Sequence, residues 1–98
     1  MDKGDILLGM IPAGRRNAAT AQSLADILGW DVRHVRAEIE RLRGGGVPIC
    51  AATSEEAGYF MPESDSEMRS YAKQFEGRIK RMQKSAQVFI KWLEENST

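Results

Sequence analysis

Five basic side chains lie close together between Thr20 and Gly46, in the segment TAQSLADILGWDVRHVRAEIERLRGGG. Arginine can donate paired hydrogen bonds to the edge of a guanine or to phosphate oxygens, and a histidine ring can also donate to either. The chemistry that this set favours is recognition of a nucleic acid. Whether the set serves that purpose depends on which side of its helix faces the interior. The five residues are Arg33, His34, Arg36, Arg41 and Arg43.

The spacing of apolar residues predicts two short helices that position these side chains. Thr20 is a favourable N-cap for the first helix, whose apolar residues are expected to share one broad face: Ala21, Leu24, Ala25, Ile27 and Leu28. Gly29 suits the left-handed conformation that ends a helix, and Asp31 is a suitable cap for the next one. Two helices joined by about three residues around a glycine form a helix-turn-helix.

In the second helix, one stripe of apolar residues is expected to pack inward. At about 100° per residue, the opposite face is centred near Ala37. Most of the bases therefore point outward, around a small residue that permits close approach. The apolar stripe consists of Val32, Val35, Ile39 and Leu42, the outward face includes Arg33, His34 and Arg41, and Arg36 lies near the edge of the stripe.

The basic face also has an ordinary interpretation. A solvated helix often carries arginine and glutamate three or four residues apart, where they form intrahelical ion pairs. Arg36 and Glu40 have this spacing. From the helix alone, a solvated surface and a nucleic-acid-binding surface are equally well supported.

The residues that follow the helix predict a β-hairpin. The three glycines of GGG break the helix, VPICAAT is typical of a short strand, SEEAG of a turn and YFM of a returning strand. An earlier helix is expected to close before Pro12, which disfavours a helical conformation in the residue before it. The predicted elements are helices at 3–11, 21–28 and 32–43, a hairpin over 47–61 and one long helix at about 65–95.

In this order, the signals resemble the winged helix-turn-helix DNA-binding domains of bacterial and phage regulators, such as the N-terminal domain of the biotin repressor. The resemblance lies in LADILGWDVRHVRAEIERLRGGGVPI followed by GYF, and it covers roughly residues 6–61. It implies an α+β fold of three helices plus a β-hairpin wing. It also implies that the second helix of the motif, residues 31–43, enters the major groove of double-stranded DNA.

We therefore expect a sequence-specific DNA-binding protein that acts as a transcriptional regulator. The outward face of the second helix is expected to meet base edges, and the loop before the motif and the edge of the helix are expected to meet phosphates. The expected base contacts are Arg33, His34, Ala37 and Arg41, and the expected phosphate contacts are Arg15, Arg16, Asn17, Thr20 and Arg36.

The predicted tip of the wing is acidic. Wings that contact DNA often present a basic or glycine-rich tip, whereas Glu55 and Glu56 would repel the phosphate backbone. We expect this wing to stay away from DNA. The acidic tip also supports an alternative function for the same fold, a winged-helix module that binds protein and not DNA.

A different pattern follows residue 62, where we place the boundary between a DNA-binding domain, 1–62, and a C-terminal element, 63–98. Ser64 and Glu67 predict a capping box. Apolar residues then alternate at spacings of four and three, as in a two-stranded coiled coil. We expect a homodimer, although one long helix folded back over its own domain would show the same pattern. These residues, called the seam below, are Met68, Ala72, Phe75, Ile79, Met82, Ala86, Phe89 and Leu93.

Composition bears on other functions. Fourteen bases and 14 acids give a formal net charge of zero, which disfavours a purely electrostatic binder of nucleic acid. A single histidine and a single cysteine offer little for catalysis or metal binding, so we expect no enzyme, metal, cofactor or small-molecule effector. The longest apolar run, ILLGMI, is too short to span a membrane. A lone cysteine and no leader segment at Met1 indicate a reducing cytoplasm.

Overall fold

The computed structural model describes residues 2–52 and 58–97. Along these residues it contains α-helices, one short 3-10 helix and a two-stranded antiparallel hairpin, so the predicted α+β class and order of elements are confirmed. The predicted hairpin tip, with Glu55 and Glu56, lies outside the described residues. The elements are α1 (Lys3–Met10), the 3-10 helix (Arg15–Asn17), α2 (Ala21–Leu28), α3 (Val32–Gly44), β1 (Cys50–Ala51), β2 (Tyr59–Phe60) and α4 (Asp65–Asn96).

The α2–α3 pair has its N-caps and its turn at the residues that the sequence predicts. Thr20 Oγ1 accepts a hydrogen bond from the backbone N–H of Ser23 at 3.0 Å. Asp31 Oδ1 accepts one from the backbone N–H of His34 at 2.7 Å. Between the helices, Gly29 has φ 71° and ψ 26°, a left-handed conformation that glycine adopts without strain. The predicted caps and turn are confirmed.

The described residues form one apolar core between α1, the α2–α3 pair and the hairpin. Val35, Ile39 and Leu42 are buried on the inner face of α3, as their spacing predicts, while Val32 at the start of the helix packs at the edge of the core. The hairpin pairs Cys50 with Phe60 and covers one side of this core. The largest fully buried side chains are Leu7, Leu24, Val35, Ile39, Ile49, Cys50, Tyr59 and Phe60.

The loop between α1 and α2 is tied to β2 by backbone hydrogen bonds that the sequence did not predict. Ala19 and Tyr59 exchange two of them, at 2.9 and 2.8 Å. Gly14 N–H donates to the carbonyl of Met61 at 2.9 Å, and Met61 N–H donates to the carbonyl of Pro12 at 2.7 Å. The hairpin is therefore fixed against the segment that leads into α2.

α4 begins with a modified form of the predicted capping box. Ser64 Oγ accepts from the backbone N–H of Glu67 at 3.1 Å, which is the expected half. The carboxylate of Glu67 accepts from the backbone N–H of Glu63 at 3.0 Å, one residue before the cap, and from that of Arg15 at 3.3 Å. Glu67 thus joins the start of α4 to the loop before α2.

Only the first turns of α4 pack on the domain. Tyr71 belongs to the core and Met68 packs against it, so the packed unit extends past the predicted boundary at residue 62. Beyond Tyr71 every apolar side chain of α4 is exposed. The helix leaves the domain and gives the molecule its longest dimension, 55 Å. The alternative of a helix folded back over its own domain is not adopted.

Gly58 offers a direct test of the close approach between the hairpin and the loop. It has φ 121°, and an added Cβ would lie 3.1 Å from Ala18 Cβ and from the backbone of Ala19. We expect Gly58→Ala to lower the free energy of unfolding by about 1–3 kcal/mol, because a strained backbone and a crowded Cβ would both have to be accommodated.

The matched control is Gly9→Ala in α1, where nothing lies within 4 Å of an added Cβ. Alanine is favoured over glycine in a helix by roughly 0.5–1 kcal/mol, so this variant should be as stable as the wild type or slightly more stable. Urea denaturation of the three proteins measures the difference. Equal stability of the two variants would contradict the packing described for Gly58.

Candidate nucleic-acid interface

The outward face of α3 exposes two arginines beside a small residue. Arg33, Arg36 and Ala37 are all exposed. Neither arginine forms an ion pair with any described residue, and Glu40 pairs with Arg43 at 2.8 Å instead of with Arg36. The intrahelical pair suggested by the spacing of Arg36 and Glu40 is therefore not formed. This part of the surface presents positive charge with room for close approach at Ala37.

Arg41 is held beside α1. Its Nε–H donates to Glu38 Oε1 at 2.7 Å, and this hydrogen bond together with the charge of Glu38 raises the pKa of Arg41 above its ordinary value. A Cβ at Gly4 would collide with both side chains, so the bare glycine lets α1 approach them. Arg41, which was predicted to face base edges, is exposed and forms an ion pair with an acidic residue of its own helix.

His34 is positioned by an aromatic neighbour. Its ring stacks on Trp30 with centroids 4.2 Å apart and planes 12° from parallel. His34 is half-buried, whereas Arg33 and Ala37 on the same face are exposed. The sequence analysis did not predict this contact of Trp30. Its spacing of four residues from His34 could have indicated it, because side chains four residues apart on a helix lie next to each other.

Arg15 and Arg16 lie on the 3-10 helix that precedes α2, and both are exposed. Arg16 Nη1 lies 2.9 Å from Glu63 Oε1 in a pair whose arginine side chain is 74% exposed. An ion pair this exposed to solvent stabilises little, and its arginine can exchange one anionic partner for another at small cost. The sequence predicted the position of these bases but not the acidic partner.

Asn17 is the last residue of the 3-10 helix, and Thr20 is the N-cap residue of α2. Asn17 Nδ2 donates to the carbonyl of Ala13 at 3.0 Å. The hydroxyl oxygen of Thr20 accepts the capping bond from Ser23, and its own hydrogen remains able to donate. Both side chains are exposed and polar, close to the N-terminal end of a helix, where backbone N–H groups and the helix dipole favour anions.

Arg43, the last of the five bases, points inward. Its Nε–H donates to the carbonyl of Ile49 at 2.9 Å, its Nη1 lies 2.8 Å from Glu40 Oε1, and its Nη2 donates to the hydroxyl of Tyr71 at 3.0 Å. The guanidinium carbon lies 5.9 Å from the centre of the Tyr59 ring. This side chain is only 15% exposed. Arg43 therefore connects elements of the fold and does not belong to the outer surface of α3.

The cysteine occupies a structural position. Cys50 lies in β1 within the core, where burial raises the pKa of its thiol and the charge of nearby Arg43 opposes that effect. Among residues 2–52 and 58–97, no three histidine, cysteine or acidic side chains are grouped as metal ligands. None of the helices in these ranges is long and apolar enough to cross a membrane.

Comparison of the chain with models of known protein families, with curated proteins and with solved structures found no match. The likeness to winged helix-turn-helix domains therefore stays a prediction from the residues. Two features of the surface bear on function: Arg33 and Arg36 of α3 form no ion pair with a described residue, and the apolar side chains of α4 beyond Tyr71 are exposed.

The different roles of Arg43 and Arg36 can be measured on one helix. We expect Arg43→Gln to lower the free energy of unfolding by about 2 kcal/mol or more, because hydrogen bonds of a charged group contribute roughly 1.5–3 kcal/mol and their partners would be left unpaired. Arg36→Gln is the control and should change stability by less than about 0.5 kcal/mol, as exposed substitutions usually do. Equal effects in urea denaturation would show that the network around Arg43 contributes nothing specific.

Proposed function

We propose that this chain is a sequence-specific DNA-binding protein of the winged helix-turn-helix type, a transcriptional regulator of bacterial or phage origin that places α3 in the major groove. The observation that carries the proposal is the exposed surface formed by Arg33, Arg36 and Ala37. A helix that follows a tight turn, carries outward arginines and presents a small residue between them has the side chains needed to read base edges.

The ion pairs on α3 explain how a chain with no net charge can offer a basic surface. Glu38 is paired with Arg41, and Glu40 is paired with Arg43. In each pair the negative charge of the glutamate is compensated by the positive charge of its arginine. The positive charge that remains belongs to Arg33 and Arg36, and it is local, as a protein that reads a short sequence requires.

A second set of residues is suited to phosphates. Arg15, Arg16, Asn17 and Thr20 lie on the loop before α2, and backbone pairing with β2 fixes that loop. A fixed loop costs little conformational entropy when it binds. In the proposed complex, a phosphate replaces Glu63 as the partner of Arg16, and the bases of α3 then lie in register with the groove.

The alternative function, binding of a protein instead of DNA, also has support in the structure. Ile27 was expected on the inward apolar face of α2, but its side chain is 73% exposed. An apolar side chain there suits a protein partner better than phosphate. The acidic residues predicted for the hairpin tip would favour the same alternative.

We further propose that the protein acts as a homodimer through α4. Met82, Phe89 and Leu93 are exposed by 68%, 69% and 59% on one side of a helix that has left its domain. An apolar ridge of this length is larger than soluble monomers usually expose, and the same ridge on a second copy can cover it. Two copies would present two α3 helices, and the site should be a palindrome with half-sites about one helical turn, or a multiple of it, apart.

Two arginine variants test DNA binding. We expect Arg33→Ala to weaken specific binding by roughly 1–3 kcal/mol and to relax the sequence preference, because it removes a base contact. Arg16→Ala should weaken all sequences about equally and reduce the salt dependence of binding, because it removes a phosphate contact. Lys91→Ala near the end of α4 is the control with the same loss of charge and should bind as the wild type does.

Fluorescence anisotropy with genomic and random-sequence DNA across a salt series measures these effects. Wild-type protein that binds no DNA at low salt would exclude the DNA-binding function and leave the protein-binding alternative. Binding that is the same in the wild type and in both arginine variants would exclude the proposed surface.

The dimer has its own test on adjacent residues of α4. Phe89→Glu places a carboxylate in the seam and should dissociate the dimer, because the charge would have to be buried without a partner. Gln87→Glu adds the same charge outside the seam and should leave the dimer intact. Sedimentation velocity over a range of micromolar concentrations gives the mass of each protein. A wild type that remains monomeric throughout would contradict the dimer.

A further inference from the structure

We propose that the two copies of α4 pair in antiparallel orientation, so that the last turns of each helix fill an apolar groove on the partner's domain. This inference rests on the proposed homodimer and goes beyond it, since it fixes the direction of the helices, their register and a second contact between the copies.

The groove lies between the segment before β1 and the start of α4. It has a volume of about 320 Å³. One wall is formed by Val47, Pro48 and Ile49, and the other includes Ala72 and Phe75. Ala72 and Phe75 are also the first exposed residues of the seam. A helix that packs along the seam toward the domain therefore runs directly into the groove.

The C-terminal end of α4 is more apolar than a two-stranded seam requires. Val88, Ile90 and Trp92 lie outside the seam and are exposed by 65%, 44% and 61%. Their own domain cannot cover them, because Phe89 lies roughly 25 Å beyond Ala72 along the helix at about 1.5 Å per residue. In an antiparallel pair this end reaches the partner's groove. In a parallel pair it remains at the far tip, where only the other tip could cover it.

The sizes of the seam residues also favour the antiparallel arrangement. One antiparallel register places Ala72 opposite Phe89 of the second copy, and Phe75 opposite Ala86 of the second copy. Each alanine of the seam then meets a phenylalanine, and large residues interdigitate with small ones as a close-packed interface requires. In a parallel pair each residue meets its own copy, so Ala72 and Ala86 would form layers with too little side chain to fill them.

The exposed apolar area is sufficient for a stable pair. A fully covered aromatic side chain buries about 150–250 Å². On that scale, the exposed fractions of the apolar side chains of α4 in two copies amount to on the order of 1,000 Å². Specific interfaces bury roughly 1,200–2,000 Å² when polar atoms are included. The seam and groove together therefore provide an interface of ordinary size.

The orientation can be measured with one spin label on each copy. Glu95→Cys places the label at an exposed position near the end of α4. In the proposed register the pair is centred between Lys80 and Arg81, so the two labels should lie about 44 Å apart at about 1.5 Å per residue. A parallel pair would bring both labels to the same end and closer together, so a separation below about 30 Å would overturn the proposal. Labelled wild-type protein is the control, because its Cys50 is buried and should not react.

Occupation of the groove has a separate test. Pro48→Glu puts a carboxylate on the groove wall, where Pro48 is exposed in the single chain, and should raise the dissociation constant of the dimer by at least about tenfold. Gln22→Glu adds the same charge on the exposed side of α2 and should leave the dissociation constant unchanged. Circular dichroism confirms that both variants are folded. Equal dissociation constants for the two would overturn the groove contact.

These measurements use no DNA, so their failure is distinguishable from failure of the proposed function. A dimer with closely spaced labels would exclude the antiparallel pair and leave DNA binding by α3 as proposed. A chain that is monomeric at every concentration would exclude both the dimer and its orientation, and the anisotropy measurements would still decide the role of α3.

Discussion

The position of α4 depends on one half-buried cation. A guanidinium that has lost most of its solvent must be hydrogen-bonded or paired. An unpaired buried charge costs several kcal/mol, which is comparable to the free energy of unfolding of a whole domain. Arg43 meets this requirement through the carbonyl of Ile49 and the hydroxyl of Tyr71, which come from the segment before β1 and from α4. Because the donors of arginine are arranged in a rigid plane, these partners hold their elements at one orientation to α3. This contact, together with the packing of Met68 and Tyr71 on the core, holds the start of α4 against the domain.

Residues of α3 serve both packing and surface charge, and a helical wheel separates the two sets only approximately. The inner face of α3 and Arg43 hold the domain together, and its outer face carries the charge proposed to meet DNA. Glu38 pairs with Arg41 and Glu40 pairs with Arg43, so both acids of α3 are held by arginines of the same helix. A neutral chain can in this way have a basic surface of limited extent, which favours recognition of a particular site over general attraction to phosphate.

The exposed length of α4 links the domain to its proposed assembly. If the helix ended near Phe75, the chain would be a compact domain with one small basic surface. Extended to Asn96, it carries an apolar seam that has no partner within the described chain, and its two ends differ, since one adjoins a groove and the other is apolar on several sides. In the proposed antiparallel pair these unlike ends meet, and the direction of pairing would set the distance between two copies of α3.

The sequence by itself determined the features that arise within a few residues of one another. The caps at Thr20 and Asp31, the left-handed turn at Gly29 and the inward stripe of α3 all follow from local hydrogen bonds and helical period, so they could be predicted. The tertiary structure alone decided that the loop before α2 pairs with β2, that Arg41 lies beside α1 and that Arg43 reaches α4. A charged residue at the edge of an apolar stripe has the same spacing whether water or a distant tyrosine lies next to it. Whether water or the tyrosine is present depends on how elements far apart in the sequence pack, and a local sequence pattern does not predict that packing.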